Sequence, residues 1–236
     1  MNELVKFQPP LYLRNPHLQS IFNSVGPRKV RAARLAQSAT SETIMFTTAQ
    51  GVRLKGEFDS ALQTEADNKK AVILLHGWEG SSQSAYMITT AMHLRNSGYD
   101  VLRLNLRDHG DTQHLNKEIF NSTMTPEVAD CIQLFLNERH YLKSFLVGFS
   151  LGGNFTLRIA ADCGDKLGLS VAVAICPPVD PVKATERLYQ SLFIYQKYFL
   201  YRWRNSLRKK LMHFPSYDFG DDLERATSID DINRKF

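Results

Sequence analysis

Residues 144–154 read SFLVGFSLGGN. An apolar run enters a Gly-x-Ser-x-Gly pattern, Gly148-Phe149-Ser150-Leu151-Gly152, and a helical pattern follows it. The order strand, sharp turn, helix is what gives these five residues meaning. A turn this tight puts Ser150 in a strained backbone conformation, so the residues two before and two after it must be small. The strain projects the hydroxyl off the end of the sheet. The helix N-terminus then faces any negative charge that develops on a bound carbonyl oxygen, and the Leu151 N–H can donate to it. Ser150 is the candidate nucleophile.

Working outward, an earlier strand ends in a second informative run, LLHGWEGSS (74–82). In a strand–turn–helix nucleophile site the second oxyanion donor comes from the loop after such a strand. The Trp78 backbone N–H is the natural candidate. His76 lies too early in the chain for the usual base, and it is expected to brace this loop. The run RLNLRDHGDTQH (103–114) follows the next strand. Its Arg107, Asp108, His109 and Asp111 are read as a brace near the site.

The rest of the chain alternates strand and helix patterns. TIMFTTA (43–49) and VRLKGEF (52–58) predict a hairpin around Gln50-Gly51. Strands are expected at 71–76, 100–106, 144–149 and 169–175. The nearly continuous apolar run at 71–76 predicts a strand covered on both faces. Helices are expected at 84–97, from a capping Thr125 with Pro126 at its first position, and at 151–163. Such alternation predicts a mostly parallel α/β sheet, with loops gathered at the C-terminal ends of its strands. Residues 7–22, rich in Pro and aromatics, are expected as an ordered extended arm with a short helical turn. Residues 63–70 are expected as a loop. Beyond Pro178, Leu188, Leu192, Tyr195, Phe199, Trp203, Leu207, Leu211 and Phe214 recur at three- and four-residue spacing. That predicts one long amphipathic helix or two consecutive ones, suited to core packing or to a lid.

Composition excludes several classes. Of 236 residues, 43% are hydrophobic and 22% charged, so a disordered chain or a disulfide scaffold is excluded. No run approaches the ~18 apolar residues of a membrane span, and the N-terminus carries no secretion-signal pattern. The net charge of +5 is uneven: residues 1–36 and 197–213 each hold six Lys/Arg, with one acid in the first and none in the second. A nucleic-acid binder would be basic throughout, so no nucleic-acid partner is expected. The two segments read as solvated basic faces, with 197–213 also a candidate for peripheral membrane contact. Cys131, Cys163 and Cys176 are odd in number and in apolar context, which predicts buried reduced thiols and a cytoplasmic setting. No Cys/His cluster has ligand spacing, so neither metal nor cofactor is expected.

Several runs together resemble the YheT-like ester hydrolases of the α/β-hydrolase superfamily. They are Asn15-Pro16-His17-Leu18-Gln19, His76 to Ser81, Arg107 with His109-Gly110, Gly148 to Asn154, and Pro177-Pro178 with the basic aromatic region after it. The resemblance implies carboxylic ester hydrolysis on short- or medium-chain acyl esters, through an acyl-enzyme on Ser150. Alternatives are acyl transfer to alcohols, or an inactive acyl-binding protein. The expected substrate is a small-molecule or lipid-like acyl ester; the oligomeric state is left open. The implied organisation is an N-terminal arm (1–40), a core with the nucleophile elbow (41–180) and a helical cap (181–236).

The resemblance also implies an acid and then a histidine base later in the chain, after two further strands. No strand is predicted beyond residue 175, and His213 is the sole histidine after Ser150. The expectation is therefore a truncated α/β-hydrolase lacking the last two strands and the remaining triad members. A substitute pair, Asp180 with His213, is the alternative within the chain.

Overall fold

A computed structural model describes residues 8–38, 40–63 and 69–233. The chain opens with a 3-10 turn (Leu11–Leu13), α1 (Pro16–Val25) and α2 (Pro27–Ser38). The described part of the expected extended arm is thus mostly helical. The reason is local: the Asn15 side chain accepts the His17 and Leu18 N–H groups, and Pro16 takes the first helical position.

β1 (Glu42–Thr47) and β2 (Arg53–Asp59) form the expected antiparallel hairpin. They lead into β3 (Lys70–Leu75), α3 (Ala85–Asn96), β4 (Asp100–Leu104), α4 (Thr125–Arg139), β5 (Lys143–Phe149), α5 (Leu151–Cys163) and β6 (Leu169–Ile175). The six strands order as β1-β2-β4-β3-β5-β6, and β3 to β6 run parallel. Of the predicted 63–70 loop, residues 64–68 lie outside the described residues. Thr125 does not cap α4: it is the first helical residue, Met124 holds the cap position, and no side chain caps that end.

The sheet is covered on both sides. Ile73, Leu75, Leu102 and Leu104 face Val128, Ile132 and Phe135 of α4 and Phe155 of α5. Val72, Leu74 and Val101 face Met87, Ala91 and Met92 of α3 and Ala32 of α2. Covering β3 from both sides is what its unbroken apolar run anticipates. At the other end of the order, β6 is the outer strand, and Val171, Val173 and Ile175 are exposed on one of its faces.

After β6 come α6 (Pro181–Tyr189), α7 (Phe193–His213), α8 (Gly220–Arg225) and α9 (Ile229–Asn233). α7 buries Leu207 against Phe219, Leu223, Ala226 and Ile232, with Leu200, Trp203 and Leu211 beside them. The predicted stripe therefore faces inward along most of its length, although Leu192 stays exposed. Among the described residues no helix is long and apolar enough to cross a membrane.

Only Cys131 of the three thiols is buried; Cys163 is half-buried and Cys176 exposed. Cys176 directly follows edge strand β6, so the apolar context read from sequence is a strand face left uncovered. Burial pushes the Cys131 thiol up to about 12.

Candidate active site

Non-glycine residues with positive φ are confined almost wholly to one end of the sheet. Glu79 follows β3, Asp108 and Asp111 follow β4, Ser150 follows β5 and Cys176 follows β6. His140, the left-handed cap of α4, is the exception. Each such residue costs of order 1–3 kcal/mol, so four strained loops at the C-terminal edge mark the place where function is built.

Ser150 has φ 51° and ψ −117° and caps α5. Its N–H donates to Ile175 O at 2.8 Å and its carbonyl accepts the Asn154 N–H at 3.0 Å. The flanking glycines are required by contact. A Cβ on Gly148 would lie 2.1 Å from Gly152 O, and a Cβ on Gly152 would lie 2.5 Å from the carbonyl oxygens of Leu75 and His76. The start of α5 is thus pressed onto the end of β3. The Ser150 hydroxyl is exposed and makes no hydrogen bond to a histidine among the described residues.

The loop after β3 is clamped atom by atom. A Cβ on Gly77 would lie 3.3 Å from Ser150 Cβ, so this loop abuts Ser150. The Gly77 N–H donates to Tyr86 Oη at 2.9 Å. The Gly77 carbonyl accepts from the Gly80 N–H at 2.9 Å and from His76 Nδ1 at 2.8 Å. The Leu106 N–H donates to His76 Nε2 at 3.1 Å, so the imidazole is neutral with its proton on Nδ1. Burial, reinforced by His109, holds His76 down to about 3, which keeps it neutral at any working pH. The Gly77–Trp78 peptide is trans, so pinning its carbonyl on one side turns the Trp78 N–H to the other. Neither that N–H nor the Leu151 N–H has an acceptor among the described residues. His76 therefore braces the loop, and the two candidate oxyanion donors are available.

Tyr86 was not legible as part of this site. Nothing in its spacing separates it from an ordinary first-turn residue of α3. The Tyr86→Phe substitution keeps the ring against Phe149, 4.9 Å between centroids, but leaves the Gly77 N–H without its acceptor. Acylation of Ser150 by p-nitrophenyl butyrate is expected to slow about ten-fold with KM little changed. An unchanged rate would remove Tyr86 from the positioning set.

The β4 loop is a brace, with its charged side chains paired to protein groups. Arg107 holds Glu127 through two bonds and also Glu118. Asp111 pairs with Lys209. Asp108 accepts the Phe120 N–H at 2.9 Å and pairs with Lys210 Nζ at 2.7 Å. His109 Nδ1 lies 2.6 Å from Arg107 O; its buried Nε2 has no partner among the described residues, and burial holds the ring down to about 4.

Lys210 corrects the reading of 197–213 as a solvated basic face. It is 1% exposed, and its ammonium also donates to the carbonyls of Asn116 and Glu118. Burial pushes Lys210 down and Asp108 up, while their short contact opposes both shifts and the Phe120 N–H and Arg107 also hold Asp108 down. Its place on the Leu207–Leu211–Phe214 side of α7 was the available signal. α7 also reaches the loop after β3. Trp78 stacks on Phe199 (5.1 Å, 7°) and meets Trp203 edge-on (5.3 Å, 73°), and Arg202 donates to Glu79 O. Burial raises the Glu79 carboxyl to about 7 against the pull of Arg202.

The substitute triad is not assembled. Asp180 caps α6 through the Lys183 N–H and pairs with the Lys183 ammonium. His213, exposed at the end of α7, packs against His114, 5.4 Å between ring centroids. Beside the elbow, a groove of about 430 Å³ is lined by Leu151, Asn154, Leu157, Pro178, Val179 and Pro181 among others.

The α/β-hydrolase fold family matches residues 70–212, which hold β3 to α7 and every candidate site residue. The chain is 28% identical over 120 residues to the medium-chain fatty acid ethyl ester synthase/esterase 2 of Saccharomyces cerevisiae, covering 50% of this chain and 27% of that protein. It is 23% identical over 152 residues to the putative esterase YheT of Escherichia coli, covering 64% of this chain and 45% of that one. These matches thus span half or less of each relative. A Pyrococcus furiosus esterase superposes with a TM-score of 0.56 at 19% identity, covering 72% of this chain and 62% of that one, and supports the fold. Six strands in this order, with the elbow between β5 and α5 and a match over more than half its length, place the chain in the α/β-hydrolase fold family.

Proposed function

We propose that Ser150 is the nucleophile of carboxylic ester hydrolysis, with the Trp78 and Leu151 N–H groups as the oxyanion hole. The Ser150 oxygen attacks the ester carbonyl carbon and its proton passes to solvent water; the C–O bond to the alcohol then breaks and the leaving oxygen takes a proton from water. Water then releases the acid. The observation that carries this reading is the strained Ser150 at the head of α5, against a loop whose Gly77 carbonyl is held by two donors and whose Gly77 N–H is held by Tyr86. Without a histidine on Ser150, residues 1–236 alone are expected to turn over slowly, because loss of the base costs many orders of magnitude.

Short- or medium-chain acyl esters are the proposed substrates, bound at the groove beside Leu151. The yeast relative's name couples ester synthesis with hydrolysis, which favours a second reading: transfer of the same acyl group from Ser150 to an alcohol. A cytoplasmic setting is proposed from three thiols that form no disulfide with one another. The test is hydrolysis of p-nitrophenyl butyrate with and without ethanol, in the wild-type chain and in Ser150→Ala. Slow product formation that Ser150→Ala abolishes supports the assignment, and diversion of product from butyrate to ethyl butyrate selects the transferase. Acyl-ester binding with no product and no adduct at Ser150 would replace it with the inactive binding protein.

A further inference from the structure

The inner face of α7 accounts for only half of its apolar residues. Phe193, Ile194, Tyr198 and Tyr201 are 64%, 58%, 51% and 65% exposed. With Lys197 they stand at i, i+1, i+4, i+5 and i+8, which is one side of a helix. The first two turns of α7 are therefore apolar nearly all round. Such a helix is ordinarily covered on every side, and this one is covered on one.

The chemistry around this face says what would cover it. From Arg187 to Tyr217 the chain has no acidic residue. Several of the cations there are spent internally: Lys210 on Asp108, Lys209 on Asp111, Arg208 on Glu224, and Arg204 on the Ala226 carbonyl. Those near the apolar face are different. Lys197 lies over the Phe193 ring, 4.3 Å from its centroid, and has no acid partner among the described residues. Arg187 at the end of α6 bonds the neutral Gln190 side chain. Tyrosines and an exposed lysine folded over Phe193, beside exposed Phe and Ile, suit a headgroup boundary, where rings and aliphatic stems enter the acyl region and cations stay among the phosphates. A protein partner for an apolar helix face has no such need of unpaired cations.

We infer that the outer face of α6 and α7, centred on Phe193, Ile194, Lys197, Tyr198 and Tyr201, docks on an anionic phospholipid surface. α7 lies in the interface plane, and Val179 and Val182, also exposed, extend the face toward the groove beside Leu151. This inference does not depend on the chemistry at Ser150.

The test is co-sedimentation of the full chain with vesicles of phosphatidylcholine alone or with one third phosphatidylserine, measured on wild type and on Ser150→Ala. Both are expected to bind the anionic vesicles, and less so as salt is raised. Phe193→Ser with Tyr201→Ser is expected to lower the bound fraction about ten-fold. Both side chains are exposed, and an unchanged thermal midpoint checks that the fold is kept. Arg187→Glu with Lys197→Glu is expected to abolish the preference for anionic vesicles. Equal binding to both vesicle types, or binding that survives both double substitutions, would overturn the inference. So would concentration-dependent dimerisation abolished by Phe193→Ser and Tyr201→Ser without vesicle binding, which would assign the face to a second copy.

Discussion

Replacing Lys210 by Met is expected to destabilise the fold by about 3–5 kcal/mol, the range for breaking a buried ion pair and leaving one charge behind. The methionine preserves the apolar stem, so the loss comes from the ammonium. Among the described residues, the Asp108 carboxylate would be left buried with the Phe120 N–H, at 2.9 Å, as its one donor, and the carbonyls of Asn116 and Glu118 would lose the ammonium. Asp108 sits at φ 60°, in a loop held partly by this contact. The double substitution Lys210→Met with Asp108→Asn is expected to recover part of the loss, because it removes the stranded charge. Urea unfolding checks both, through a shift of midpoint at constant slope. A change below about 1 kcal/mol for Lys210→Met would show that the pair is not a fastening between α7 and the β4 loop.

Gly148→Ala is the second large expected effect. The added methyl would meet Gly152 O at 2.1 Å, Gly152 C at 2.3 Å and Thr156 Oγ1 at 2.4 Å. Two of these are backbone atoms of the elbow helix, so α5 must move as a unit. A cost of about 3 kcal/mol is expected from overpacking at such a site, lowering the thermal midpoint by about 6–12 °C. Gly168→Ala is the control. Gly168 has φ +63° but nothing within 4 Å of a Cβ, so only the conformational cost of about 1–2 kcal/mol applies. Equal losses at the two glycines would contradict the close packing of β5 on α5.

The sheet and the elbow were legible because each rests on short-range rules. An apolar run closed by Gly148-Phe149-Ser150-Leu151-Gly152 has few ways to fold, and the HGWEG run marks the neighbouring loop. The arm was misread because Pro and aromatic content weighed more than the Asn15-Pro16 helix start. Lys210 was misread because charge alone does not tell a solvated lysine from one aimed at an aspartate 102 residues earlier. Tyr86 lies beyond any sequence pattern: its role depends on one hydroxyl reaching one backbone N–H across a loop. The basic stretch 197–213 offers a membrane-contact candidate in sequence, but the exposed apolar face begins before it, at Phe193 and Ile194, because the inward stripe alone does not show which other side of the helix is bare. The β4 loop was read correctly as a brace, but its partners Glu127 and Lys210 come from helices before and after the elbow.

The account rests on Ser150 being the atom that accepts the acyl group. The most direct measurement is intact-protein and peptide mass spectrometry after prolonged incubation with excess p-nitrophenyl butyrate. With the proposed Trp78 and Leu151 donors and no histidine on Ser150, acylation and deacylation are both expected to be slow, so that the adduct persists. The expected result is one butyryl group, mapped to Ser150 and absent in Ser150→Ala. An adduct mapped elsewhere, or a wild-type chain that stays unmodified, would contradict it.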